Sequence, residues 1–137
     1  MTTSDHLPDS SDRWTPRRRT DAPSDGAPAP SAVLHEELSR IERRLEAVIA
    51  QGRHEFSEGS DSYDRATVAV LRLASLFEED RFRAVLGVVT TAERRGIITT
   101  RNIAAHSGYS SMDIDIFWRT VTERLPGVIE RIRAANL

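Results

Sequence analysis

The stretch LHEELSRIERRLEAV, residues 34–48, decides the fold class. Its apolar residues recur at intervals of four, three, four and three, which is the spacing of one face of an α-helix. Charged residues fill most of the remaining positions, as on a helix with one buried and one solvated side. We therefore predict an amphipathic helix here, which Gly52 is expected to end. The apolar stripe consists of Leu34, Leu38, Ile41, Leu45 and Val48.

Two further helices are expected before residue 97. Residues 63–79 are apolar on much of their helical surface, which predicts a central helix capped by Asp61 or Ser62. A third helix is expected over residues 80–95, with its apolar face toward the core. Gly96 is expected to end that helix, because glycine is the residue most often found just past a helix C-terminus.

The last third of the chain predicts two more helices. Thr99 or Thr100 can cap a short fourth helix. Ser110 followed by Asp113 predicts a capping box for a fifth helix, which Pro126 is expected to kink or restart. Since no segment alternates as a strand does, we predict an all-α fold, an up-down bundle of about five helices.

The first 30 residues differ in composition from the rest of the chain. They hold five of the six prolines, many Ser and Asp residues, and few large apolar side chains. Such a segment cannot bury enough surface to offset the entropy of ordering it. We therefore predict a disordered tail over residues 1–30 and one helical domain over residues 31–137. The N-terminus lacks the basic and apolar regions of a secretory signal.

Composition narrows the possible functions. The chain has no cysteine, which excludes disulfides and thiolate metal sites and fits a reducing cytoplasm. No apolar run is long enough to span a membrane. The net charge of -2 makes non-specific DNA binding an improbable main activity.

The segment RNIAAH, residues 101–106, carries the side chains with the most evident chemistry. Asn102 and His106 lie at i, i+4 on one helical face, whereas Arg101 and His106 are separated by about 140° around the axis. One helix therefore presents half a site, and a symmetric dimer would bring two halves to one cleft.

These three side chains suit the cleavage of RNA. His106 can accept the proton of a ribose 2′-hydroxyl near neutral pH, Arg101 can pair with the phosphate oxygens, and Asn102 can orient either group. This chemistry needs no metal or other cofactor, and it spares DNA because DNA lacks the 2′-hydroxyl. As alternatives, His106 is a helix-end histidine, Arg101 forms a surface ion pair with Glu93, and Asn102 is a cap.

A longer pattern extends from this segment over RNIAAHSGYSSMDIDIFWRTVTERLP, residues 101–126. It resembles the HEPN superfamily, and within it the HepT-like proteins of bacterial toxin–antitoxin modules, over about residues 33–135. In that family the tyrosine lies two residues after the histidine, whereas Gly108 occupies that place here and the tyrosine follows it. The residues that match the family pattern are Arg101, Asn102, His106, Tyr109, Asp113, Trp118, Leu125 and Pro126.

The resemblance implies a HEPN-like helical domain and a metal-independent endoribonuclease toxin with a composite site in a homodimer. It also implies a partner, a minimal nucleotidyltransferase antitoxin that silences the toxin by adding AMP to Tyr109. A different possibility is a non-catalytic helical adaptor of that nucleotidyltransferase. A third is a DNA-binding antitoxin that uses the arginine-rich tail.

Three further groups of residues have a structural interpretation. Tyr109 could simply close the turn above the core. Phe117 and Trp118 are expected to anchor the core or the dimer interface. Asp113 and Asp115 lie at i, i+2 and do not face one another, so a metal pair there is not expected.

Overall fold

The computed structural model of the protein describes residues 28–106 and 112–137. Within these two ranges the regular elements are helices and short 3-10 turns, with no β-strand, so the prediction of an all-α fold is confirmed. The predicted tail lies almost entirely outside the described residues. The helices are α1 (Pro30–Gln51), α2 (Asp61–Leu76), α3 (Thr91–Ala105), α4 (Ile114–Arg119) and α5 (Leu125–Ala135).

Helix α1 confirms the prediction made from its apolar stripe. All five stripe residues are buried, and Gly52 ends the helix with a positive φ of 90°. Pro30, which we expected in the tail, is the first residue of α1, where its missing N–H costs no hydrogen bond.

Helix α2 lies beside α1, as expected of a central helix, but its ends differ from the prediction. Its cap is Ser60, whose hydroxyl accepts a hydrogen bond of 3.1 Å from the Tyr63 backbone N–H, so the caps expected at Asp61 or Ser62 are wrong. Both of those residues are already helical. The helix ends at Leu76, before the predicted position, and a 3-10 turn at Asp80–Phe82 follows it.

The third and fourth predicted helices are replaced by one helix, α3. Residues 83–89 form turns, and the helix begins only after Thr90, whose side chain makes a reciprocal capping box with Glu93. Gly96 lies inside α3 and does not end it, and Thr99 and Thr100 are interior residues. The capping box therefore determines where α3 begins, and the prediction that Gly96 ends a helix is wrong.

The final helices form one continuous rod with a π-helical turn, Thr120–Arg124, between α4 and α5. Asp113 caps α4 by accepting hydrogen bonds from the backbone N–H groups of Asp115 and Ile116, each at 3.0 Å. Ser110, the predicted cap, lies outside the described residues. Pro126 does not interrupt the helix, because a π turn directly before it widens the backbone where the proline ring would otherwise clash.

An aromatic cluster joins α4 to the loop between α1 and α2. The ring of Phe56 lies 5.3 Å from the rings of both Phe117 and Trp118, and Tyr63 meets Phe117 edge-on at 5.1 Å. Phe56 and Phe117 are completely buried. The aromatic pair of α4 therefore serves the core, and Arg53 reinforces the same junction through an ion pair of 2.7 Å with Asp115.

The C-terminal end of α5 is tied to α1 by a polar network around Arg133. Its guanidinium donates to Glu42 at 2.5 Å and to the Nδ1 of His35 at 2.9 Å. Because a guanidinium only donates, the Nδ1 of His35 must accept, and its Nε2–H can then donate to the carbonyl of Asn136 at 3.2 Å. The Asn136 amide donates in turn to the carbonyl of Val85 at 2.7 Å.

Replacing Arg133 with alanine should lower the free energy of unfolding by about 2 kcal/mol, because several partly buried acceptors lose a charged donor. Arg40, whose guanidinium is bound only at the surface of α1, is the matched control; its alanine variant should cost about 0.5 kcal/mol or less. Urea denaturation of both variants measures the difference. Equal losses for the two variants would contradict the network's role.

Candidate functional site

Helix α3 carries all three predicted catalytic residues, and it is the least buried of the long helices. Ile97 is its one buried side chain, whereas α2 buries eight. A helix that contributes so little to the core leaves most of its surface available for binding. Its position therefore depends on polar contacts as much as on packing.

Arg101 points toward the end of α2. Its Nη1 donates to the carboxylate of Glu78 at 2.8 Å, and its Nε donates to the side-chain carbonyl of Asn102 at 3.2 Å. The alternative of an ion pair with Glu93 is wrong, because Glu93 pairs with Arg131 instead. The Arg101 side chain is 25% exposed, so it is partly open to solvent while its guanidinium is held by an acid.

Asn102 and His106 lie on the exposed side of α3. His106 is the C-cap residue, with φ of -112° and ψ of 79°, so the helix ends at its backbone. Both side chains are exposed. The structure thus brings Arg101 and Asn102 into direct contact and places His106 one turn further, at the C-terminal end of the helix.

The exposed side of α3 also carries two residues that the sequence argument overlooked. Arg95 and Thr99 fall within about 60° of Asn102 and His106 around the helix axis. Arg95 is exposed and has no ion-pair partner among the residues that the structure describes. Arg95, Thr99 and Asn102 follow the helical spacing i, i+4, i+7, which predicts a shared face. This face was missed because the prediction ended a helix at Gly96, between the first two of these residues.

Tyr109, the predicted site of modification, lies outside the described residues, as does Gly108. The two carboxylates beyond them have structural partners, since Asp113 caps α4 and Asp115 pairs with Arg53. In ranges 28–106 and 112–137, no three His, Asp or Glu side chains are arranged to hold a metal ion.

A groove of about 690 Å³ separates α3 from the rod formed by α4 and α5. Ile97, Leu125 and Val128 form its apolar floor. The ion pair between Glu93 and Arg131 joins its two walls at one end. This pair and the Arg101–Glu78 pair are polar anchors that hold α3 near its two ends.

The carboxyl of Glu93 is the most clearly perturbed acid of the site. The hydrogen bond from the Thr90 backbone N–H lowers the pKa of Glu93 below its ordinary value; partial burial opposes this effect and Arg131 adds to it. The ionised form is therefore the one that the folded protein stabilises.

Comparison of the chain with protein-family models, with curated proteins and with solved structures returned no significant match. None of the helices within the described ranges is long and apolar enough to cross a membrane.

Replacing Glu93 with glutamine should make the protein less stable than wild type at pH 7, and the difference in the free energy of unfolding should shrink as the pH falls below 4.5. The folded pKa of Glu93 is lowered, so its contribution is present above the ordinary pKa of 4.5 and is lost as the pH falls through the folded value. Glutamine can still complete the capping box, so the variant removes mainly the charge. Chemical denaturation at several pH values measures the difference in the free energy of unfolding between the variant and wild type.

Glu123→Gln is the control, since Glu123 is exposed and has no ion-pair partner among the described residues. A gap for Glu93→Gln that does not change between pH 7 and pH 3 would contradict the assignment.

Proposed function

We propose that this protein is a metal-independent endoribonuclease of the HEPN type, and that it acts as the toxin of a toxin–antitoxin module. The observation that carries the proposal is the contact between Arg101 and Asn102 beside the exposed His106, at the C-terminal end of a helix that buries one side chain. A cation, an amide and an imidazole are thereby collected at one accessible helix end. An imidazole can act as the general base and a cation can stabilise the phosphate charge when RNA is cleaved through the 2′-hydroxyl.

In the proposed reaction, His106 accepts the proton of the ribose 2′-hydroxyl. The 2′-oxygen then forms a bond to the adjacent phosphorus, and the bond from phosphorus to the 5′-oxygen breaks. The leaving 5′-oxygen takes up a proton from solvent water, and the proton on His106 is released to solvent, which yields a 2′,3′-cyclic phosphate and a 5′-hydroxyl. Arg101 stabilises the charge on the non-bridging oxygens, and Asn102 holds the guanidinium in place through its side-chain carbonyl.

The proposed site is composite and is completed by a second copy of the chain. Arg101 lies about 140° from His106 around the helix axis and reaches toward α2, so one chain presents the two groups on different sides. A twofold pairing places the imidazole of one copy near the guanidinium of the other. The proposed regulation is the addition of AMP to Tyr109 by a minimal nucleotidyltransferase, which would block this cleft.

The ion pair between Arg101 and Glu78 favours a second candidate function. A carboxylate at 2.8 Å neutralises the guanidinium that the nuclease needs for phosphate. The alternative is therefore a helical adaptor that binds the nucleotidyltransferase without cutting RNA. Expression without the partner separates the two functions, because a toxin arrests growth and an adaptor does not.

Purified protein should cleave RNA in excess EDTA between pH 6 and 8 and leave 2′,3′-cyclic phosphate ends. His106→Ala and Arg101→Ala should each lower the rate about 100-fold or more, since general acid–base catalysis and charge stabilisation each supply at least that factor. The matched controls are His54→Ala and Arg43→Ala, at exposed positions on other elements. If wild type does not cut, or if all variants cut equally, the proposal fails.

Replacing Glu78 with glutamine should raise kcat/KM for RNA several-fold, because it removes a negative charge that competes with phosphate for Arg101. The control is Glu79→Gln, which alters a neighbouring carboxylate that pairs with Arg81 at 3.0 Å. A loss of cleavage in Glu78→Gln comparable to that of Arg101→Ala would contradict competition and assign Glu78 a positioning role.

A further inference from the structure

The groove between α3 and the α4–α5 rod has space that the described residues leave unfilled. Gly96 and Gly127 line its two walls, and a β-carbon on either would meet no atom within 4 Å beyond its own helix. Neither glycine has a positive φ, so neither backbone conformation requires glycine. Glycine inside a helix costs about 1 kcal/mol relative to alanine, and a bulky ring seated between these two positions would account for that cost.

An exposed apolar side chain stands at the other end of the groove. Ile116 is 57% exposed and lines the groove, whose floor is formed by Ile97, Leu125 and Val128. Covering a side chain of this size stabilises a folded structure by about 1.5–3 kcal/mol when its burial is complete. The groove therefore fits an occupant that carries one large apolar group at each end.

The lining of the groove is positively charged. Its charged residues are Glu93, Arg124 and Arg131, one acid and two bases, which give it a net charge of +1. Glu93 and Arg131 pair with each other, whereas Arg124 is exposed and has no ion-pair partner in ranges 28–106 and 112–137. An occupant with negative charge near its middle is therefore favoured.

Helix α1 begins at the same end of the molecule as the Glu93–Arg131 pair. The Nε2 of His35, in the second turn of α1, lies 3.2 Å from the carbonyl oxygen of Asn136, so α1 begins where α5 ends. Arg131 lies toward that end of α5, and Glu93 lies in the first turn of α3. The 27 residues that precede the described part of the chain therefore join it near this end of the groove.

One stretch of those preceding residues has a composition that matches the groove. It is DHLPDSSDRW, residues 5–14, and it lies outside the described residues. Leu7 and Trp14 are its large apolar residues, and Trp14 is the one aromatic residue before Pro30. Three aspartates against one arginine, with the histidine neutral, give the stretch a net charge of -2, opposite in sign to the groove.

The lengths of the stretch and of the groove also agree. Leu7 and Trp14 are seven residues apart, which is about 22 Å in an extended chain. Ile116 and Arg131, at the two ends of the groove wall, are fifteen residues apart, also about 22 Å along a helix. The 15 residues between Trp14 and Pro30 have a typical span of about 20 Å, or two helix diameters, which is enough to pass around α5.

We propose that residues 5–14 bind in this groove of their own chain. Trp14 lies between the two glycine-bearing walls at the Glu93–Arg131 end, and Leu7 covers Ile116 at the other end. The groove is thereby closed to other partners along the helix that carries the RNIAAH segment. This binding goes beyond the proposed function and does not rest on it, because it requires no catalytic step.

The charges fix the position of the bound stretch. Asp9 and Asp12 lie between the two apolar residues, and Arg124 lies about midway along the groove wall. A guanidinium without another acid nearby can pair with either aspartate. Arg124 is therefore the residue whose charge the binding of residues 5–14 depends on most.

Quenching of Trp14 fluorescence by acrylamide tests the proposal in the full chain. The chain has two tryptophans, so a Trp118→Phe background leaves Trp14 as the only indole and keeps an aromatic ring in the core. Trp14 should be quenched about threefold less than in the same chain unfolded in urea, because a seated ring is screened from solvent. The quenching should not change between about 1 and 100 µM protein, since the contact is within one chain.

Charge variants in the same background test the assigned contact. Arg124→Glu should raise the quenching of Trp14 toward the unfolded value, because it repels the acidic stretch. Arg119→Glu is the matched control, at an exposed position of the same rod that does not line the groove, and should change nothing. Adding Asp9→Arg and Asp12→Arg to Arg124→Glu should restore the protection, since the charges are then exchanged.

The double variant Gly96→Leu, Gly127→Leu provides a second test that leaves the charges unchanged. It should expose Trp14 while the helical circular dichroism signal persists, because the added side chains fill only the open space of the groove. The proposal is overturned if Trp14 in the unaltered groove is quenched as in the unfolded chain. Equal quenching in Arg124→Glu and Arg119→Glu would also overturn it, as would protection that rises with protein concentration.

The outcomes for this binding and for catalysis remain distinguishable. A chain that protects Trp14 through Arg124 but cuts no RNA supports the bound stretch and removes the nuclease proposal. A chain that cuts RNA while Trp14 is fully quenched supports the nuclease and overturns the binding of residues 5–14.

Discussion

Helix α3 buries a single side chain and is fixed by polar contacts near its two ends, and the rest of the account depends on this constraint. The capping box of Thr90 and Glu93, with the ion pair to Arg131, fixes its start. The pair between Arg101 and Glu78 fixes its C-terminal half. Between these anchors only Ile97 is buried, so the sides of the helix that do not contact α2 remain open to a ligand or a partner.

The same constraint links the groove to the proposed chemistry. Because α3 does not pack closely along the α4–α5 rod, a groove with an apolar floor lies between them. The π turn before Pro126 lies in the wall of this groove and allows the rod to continue past the proline. A partner seated there would cover the exposed Ile116 and would lie next to the segment that ends at His106.

Local patterns predicted the fold class well and the placement of α3 poorly. The stripe of α1 is a property of fifteen consecutive residues, so periodicity alone identified its buried face, and the glycine at position 52 identified its end. Glycine is typical of the position just past a helix C-terminus, yet Gly96 lies inside α3. The capping box of Thr90 and Glu93 determines where this helix begins. A glycine tolerated inside a helix cannot be distinguished from a terminal one without knowledge of what surrounds it.

The candidate site was also predictable only in part. The i, i+4 relation of Asn102 and His106 follows from helical geometry, and the structure places both on exposed positions of α3. The partner of Arg101 could not be predicted, because Glu78 lies 23 residues away in sequence and meets it only through the crossing of α3 over the end of α2. Tertiary contacts of that kind leave no trace in residue spacing.

The most direct test of the composite site is the distance between the two copies of α3 in solution. The chain has no cysteine, so a single Thr99→Cys substitution accepts one spin label per chain on the exposed side of α3. Pulsed dipolar spectroscopy should then give a separation of about 20 Å, roughly two helix diameters, if the helices adjoin. A dimer with labels more than about twice that distance apart, or the absence of any dipolar signal, would contradict the account.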